Sequence, residues 1–150
     1  MLFFPTQRRA FQRTASAGLV ILVLGFVAPA ARATTTAERQ LHVMINDSRT
    51  ASDVRVLRLS ERLSRIAHRH SKQMASRRSL FHSCLPCEIG NHWRKLGENV
   101  GLGADYLSVQ EEFMASAPHR ANILDPKYRR VGVGVVRRGG LVWVTQIFYG

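Results

Sequence analysis

The sequence predicts a single α+β domain behind a short basic and apolar leader. Two patterns carry that prediction: a long run at helical spacing in the middle of the chain, and an alternating β hairpin at its end. The length of 150 residues fits one domain. Apolar residues make up 45% and are well spread, which excludes a disordered tail. Only one apolar run exists and it is short, which excludes a polytopic membrane protein. Lys and Arg number 22 against 10 Asp and Glu, a formal net charge of +12.

Residues 1–33 read as an export signal. Arg8, Arg9 and Arg13 form a basic start, Ala15 to Ala28 an apolar stretch, and Ala31-Arg32-Ala33 a small-x-small cleavage site. A retained anchor is the alternative. Arg8-Arg9-Ala10-Phe11 is compatible with a twin-arginine signal or with an ordinary basic start. Cleavage removes four arginines and no acid, leaving +8. The protein is therefore expected outside the cytoplasm, where Cys84 and Cys87 would tend to oxidise.

Residues 34–40 are read as a linker into a domain over 41–150, with a first helix over Ala37–Asp47 capped by Thr36. Ser48–Asp53 is a loop. From Leu59 to about Ser76, Leu59, Leu63, Ile66, Ala67, His70 and Met74 share one face, with Ser60 available as a cap. Arg58, Arg62, Arg65, Arg69 and Lys72 form a basic stripe beside it, read either as a solvated face or as an attachment to an anionic envelope surface. No nucleic-acid partner is expected, because no aromatics interleave the stripe. Leu80–His92 reads as irregular. Leu107–Ser116 reads as a helix with a Ser108/Glu111 capping box, and Pro118–Pro126 as turns and coil. Val131, Val133 and Val135 alternate, Arg137-Arg138-Gly139-Gly140 turns, and Leu141–Phe148 returns.

His82, Glu98 and His119 come from separate elements. Two imidazoles and one carboxylate are a ligand set for a catalytic zinc, if the fold brings them together. His82-x-Cys84-x-x-Cys87-x4-His92 has the residue types of a zinc knuckle. A local Cys84–Cys87 disulfide is the leading alternative and free thiols the next. No Gly-x-Ser-x-Gly elbow or phosphate-cradling loop is present.

Several motifs occur in order: Asn46 with Arg49; Ala67, His70, Ser71 and Met74; Phe81-His82-Ser83; Gly97-Glu98-Asn99-Val100; Phe113 through Leu124 with Ser116, His119, Arg120 and Asn122; Val131-Gly132-Val133-Gly134; and Trp143 through Phe148. Together they resemble the CAP superfamily (the SCP or PR-1-like domain) in its compact bacterial form, over nearly all of the chain after the leader. The resemblance implies an α-β-α sandwich with a small, mainly antiparallel sheet between helical layers and a cleft over Glu98. In the family two His and two Glu can line that cleft. Here the resemblance gives His82, Glu98 and His119 as counterparts, with Asn99 beside them and Ser116 where the second Glu would stand. Fewer carboxylates should hold a divalent metal such as zinc more weakly. Glu98 reads equally as a metal ligand or as a structural pin accepting backbone N–H bonds. His70 reads as a buried histidine bonded to the backbone.

A non-catalytic, monomeric binding module for a small ligand, lipid or metal is favoured, with no required cofactor. A metal-assisted hydrolase using His82, Glu98 and His119, with Glu98 as ligand or general base, is the alternative. Retention on the envelope by the basic stripe is the third reading.

Overall fold

A computed structural model describes residues 34–150; the leader reading of residues 1–33 lies outside them. The element order is α1 (Thr36–Thr50), β1 (Arg58–Leu59), α2 (Glu61–Arg77), α3 (Leu85–Ile89), β2 (Leu96–Gly103), α4 (Tyr106–Ala115), α5 (Ala117–Leu124), β3 (Arg130–Arg138) and β4 (Leu141–Tyr149). One sheet runs in the order β1-β3-β4-β2. Its two long pairings are antiparallel, and β1 lies parallel to β3. Among the described residues no helix is long and apolar enough to cross a membrane.

The period-2 pattern of β3 and β4 sorts side chains to two faces. Val131, Val133, Val142, Val144 and Phe148 meet Leu41 and Ile45 of α1, Val109 and Phe113 of α4, and Ile123 of α5. On the other face Ile147 meets Leu63, Ile66 and Ala67 of α2 and Leu85 and Ile89 of α3, while Trp143 meets Met74 and Ala75. The result is the α-β-α sandwich the resemblance implied.

Helix α2 follows its sequence signals closely. Ser60 caps it by accepting from Leu63 N–H at 3.4 Å. The hairpin turn also forms as read, with Gly139 at φ 61° and Gly140 at φ 77°, the positive values a tight two-residue hairpin requires.

Other readings are corrected. Residues 36–40 are helix, not linker, and Thr35 rather than Thr36 is the cap. Thr35 and Glu38 exchange hydrogen bonds at 2.8 and 3.3 Å, a reciprocal capping box. Helix α4 is capped by Asp105, which accepts from the N–H groups of Leu107 and Ser108. Ser108 therefore lies inside the helix and does not form a box with Glu111. The irregular segment contains α3, and the coil after Pro118 is α5. In both helices a proline sits in the first turn, where its missing N–H costs no helical bond. Strands β1 and β2 carry no clear sequence signal.

Strand β1 has only two residues, so most of the outer edge of β3 has no strand beside it. Side chains finish that edge instead. Ser64 Oγ accepts from Val133 N–H at 3.1 Å, and Glu38 Oε1 accepts from Val135 N–H at 3.2 Å. This accounts for two fully enclosed polar residues on helices, since a buried backbone N–H must find an acceptor.

Candidate functional site

Strand β2 is the edge strand opposite β1, and the site straddles it. Alternation along β2 sends Glu98 towards the α2 layer and Asn99 towards the α4–α5 layer. The segment after α2 then folds back over Glu98. His82 Nδ1 donates to Glu98 Oε2 at 2.8 Å, Ser83 N–H donates to the same oxygen at 2.9 Å, and Ser83 Oγ donates to Glu98 Oε1 at 2.6 Å. The Glu98 side chain is 4% exposed and that of His82 is 65% exposed. A buried carboxylate thus holds an exposed imidazole in one orientation.

His119 is carried by α5. Its Nδ1 pairs with Ser116 Oγ at 2.9 Å, and its ring packs on Phe113 at 4.9 Å between centroids. Burial lowers its proton affinity below the ordinary imidazole range, and the nearby His82 lowers it further. The Nε2 atoms of His82 and His119 make no hydrogen bond among the described residues.

Beneath the two histidines lies a buried amide network. Asn99 Nδ2 donates to His119 O and to Gln146 Oε1, both at 3.1 Å. Asn122 Nδ2 donates to Asn99 Oδ1 at 3.0 Å and to Glu98 O at 3.3 Å. Gln146 Nε2 donates to Gln110 Oε1 at 2.6 Å. Asn99 therefore fixes the backbone of α5 to the sheet and does not assist the Glu98 carboxylate. His70 is buried, with Nε2 2.7 Å from Phe81 O, and so holds the start of the His82 segment.

Sequence reasoning did not name Ser83, Asn122, Gln110 or Gln146 as site residues. Asn122 and Gln146 were visible within motifs, but a motif does not show which side chains face each other. Ser83 carried only its adjacency to His82.

Glu98 Oε2 accepts from His82 and from Ser83 N–H, and Oε1 accepts from Ser83 Oγ alone, so the carboxylate orients His82 and keeps one Oε1 lone pair. Among the described residues no group of three or more His, Cys, Asp or Glu side chains is arranged to hold a metal ion. The metal reading of His82, Glu98 and His119 remains an expectation. The zinc knuckle is corrected. Cys84 and Cys87 are joined in a disulfide with Cα atoms 5.3 Å apart, which removes both thiolates.

Ser83 and His82 do not form a nucleophile relay. Both bond to the same carboxylate, so the imidazole is not placed to take the serine proton.

Two expectations follow. The Cys84–Cys87 bridge closes a four-residue loop, which limits its chain-entropy contribution to about 2 kcal/mol. Cys84→Ser/Cys87→Ser should remain folded, with a urea midpoint lowered by no more than that amount. The second concerns pH. His119 binds protons more weakly folded than unfolded, so its contribution to stability is complete above its ordinary value of 6.5 and is lost as pH falls below it. Urea midpoints measured on both sides of that value should fall more on acidification in the wild type than in His119→Gln.

The sequence profile of the CAP, or Cysteine-rich secretory protein, family matches residues 43–148. The chain is 29% identical over 122 residues to the uncharacterized protein YkwD of Bacillus subtilis (strain 168), covering 75% of this chain and 47% of YkwD. It thus spans about half the length of that relative. Its fold is similar to an extracellular protein containing an SCP domain from Bacillus anthracis str. Ames, with a TM-score of 0.67 and 22% identity, covering 75% of this chain and 40% of that one. It is also similar to an outer surface protein from Borrelia burgdorferi, with a TM-score of 0.67 and 13% identity, covering 74% of this chain and 90% of that one. The ordered motifs, the sandwich and the family match agree: this chain belongs to the CAP (cysteine-rich secretory protein) family.

Proposed function

We propose that this CAP domain is exported and acts outside the cytoplasm as a non-catalytic binding module. Its cleft takes a small polar ligand between the Nε2 edges of His82 and His119. One observation carries this reading: the buried Glu98 carboxylate spends three of its about four lone pairs on His82 Nδ1, Ser83 N–H and Ser83 Oγ, and so holds the His82 ring with Nε2 outward. The basic leader ending in Ala31-Arg32-Ala33 and the extracellular relative support the location. The monomer expectation belongs to the same proposal.

The test is a panel of ester, peptide and phosphoester substrates offered to the purified full chain, with and without added zinc. No turnover dependent on His82 or Glu98 is expected. Turnover abolished in both His82→Ala and Glu98→Gln would establish the hydrolase instead. The pinning role makes a separate prediction. Glu98→Gln should broaden or shift the His82 ring resonances in NMR spectra, because the amide cannot accept three donors as a carboxylate does.

Envelope attachment through a stripe on α2 has less support. Arg69 pairs with Glu88 at 2.7 Å and Arg62 donates to Ile89 O at 3.1 Å, so two of its members hold α3 against α2. Arg58 lies on β1, outside the helix.

A further inference from the structure

Four arginines converge at the β1 edge of the sheet. Arg55, Arg58, Arg129 and Arg130, with Val56, line an open depression of about 520 Å³. Pairing in the sheet builds the cluster. Arg58 stands opposite Arg130 in the parallel β1–β3 register, and Arg58 N–H donates to Arg129 O at 3.1 Å. The loop before β1 is fixed from below, since buried Arg49 donates to Arg55 O at 2.6 Å and so sets the position of Arg55.

All four side chains are exposed, and no carboxylate lines the depression. None of the four forms a salt bridge among the described residues. Asp53 and Glu61, the acids closest in sequence to Arg55 and Arg58, do not line the depression, and Asp125 pairs with Lys95. Arg129 spends one nitrogen on Pro126 O and Tyr128 O, and Arg130 lies over the Tyr149 ring at 6.0 Å. Arg55 and Arg58 make no side-chain hydrogen bond among the described residues. Like charges gathered on a fixed backbone repel one another, and a bound anion relieves that repulsion.

The donor chemistry narrows the anion. A guanidinium is a planar fork matched to two oxygens of one phosphate or carboxylate. Several forks around one depression outnumber the oxygens of a single carboxylate, and the space is larger than one phosphate group. We propose that this depression binds a ligand carrying two or more closely spaced phosphate groups. The site is separate from the His82–His119 cleft, and its proposal does not depend on the reading of that cleft.

The test is calorimetric titration of the full chain with tripolyphosphate at two salt concentrations, about 50 and 200 mM. Three proteins are compared: wild type; Arg55→Gln/Arg58→Gln/Arg130→Gln; and Arg65→Gln/Lys72→Gln/Arg94→Gln, which loses the same charge elsewhere. Loss of three charge-assisted contacts should weaken binding at least about tenfold in the first variant and about twofold or less in the second. The affected side chains are exposed and β1 pairs through its backbone, so thermal melting should show both variants folded. Equal weakening in the two variants would reduce the effect to net charge and overturn the proposal. Absence of saturable binding in the wild type would also overturn it. Vesicles of a lipid with several phosphates on one headgroup, a phosphatidylinositol bisphosphate, against phosphatidylcholine, identify the source. Adsorption lost only in the first variant assigns a lipid headgroup. Tripolyphosphate binding without that adsorption assigns a soluble phosphate ligand.

Discussion

Gly134→Ala is expected to destabilise the domain by about 3 kcal/mol or more, at the upper end of the overpacking range. Helix α2 lies directly on β3, and a Cβ at Gly134 would overlap backbone atoms of His68 and Ala67. Gly132 is in the same position one helical turn earlier, against Leu63 and Ser64. Backbone cannot rotate away as a side chain can, so relief requires the whole helix to lift. Lifting would also break Ser64 Oγ from Val133 N–H, and Ser71 Oγ from Gly134 O at 3.0 Å. Gly101→Ala is the comparison, because its nearest neighbours are the side chains of Phe113 and Val109. Urea unfolding should rank Gly134→Ala as the more damaging of the two. Equal midpoints for Gly134→Ala and wild type would show that α2 does not need this close approach.

Arg49→Met is expected to cost about 1–3 kcal/mol, the range for leaving buried acceptors without their donor. Arg49 is fully buried. Its Nε donates to Arg55 O at 2.6 Å, and one Nη donates to Ile123 O at 2.6 Å and Asp125 O at 3.0 Å. One side chain therefore ties α1 to the loop before β1 and to the end of α5. Methionine fills similar volume but leaves three carbonyls without those donors. Arg49→Lys keeps the charge and loses the fork, so its urea midpoint should fall between those of Arg49→Met and wild type. If Arg49→Met unfolds at the wild-type midpoint, water supplies these carbonyls and the argument fails. Neighbouring Asn46 works on the same loop by exchanging bonds with the Leu57 backbone at 2.8 and 3.1 Å. The opening Asn-x-x-Arg motif is thus a loop clamp, a role that neither residue type announces.

What can be read in advance depends on whether the signal is local. The α2 stripe and the β3–β4 hairpin each carry their period and stop signals within one short window. Helices α3 and α5 escape that reading because Pro86 and Pro118 look like breakers, although each lies in a first turn. Strand β2 escapes it because Leu96–Gly103 contains Gly97, Gly101 and Gly103, which weaken the alternation. Those glycines have tertiary reasons: a Cβ at Gly97 would strike Tyr128 and Asn122, and one at Gly101 would strike Phe113.

By itself the sequence determined the amphipathic α2, the closing hairpin, the basic charge and, through the order of its motifs, the family. It also named His82, Glu98 and His119 as residues to examine. Only the tertiary structure decided what they touch. Which donors reach Glu98 is set by His82 and Ser83 folding back over it from the segment after α2. The arginine cluster has the same origin, since parallel pairing places Arg58 beside Arg130 across 72 residues of sequence. Periodicity reports which face a residue occupies. It does not report what stands opposite, and charge and hydrogen bonding act on what stands opposite.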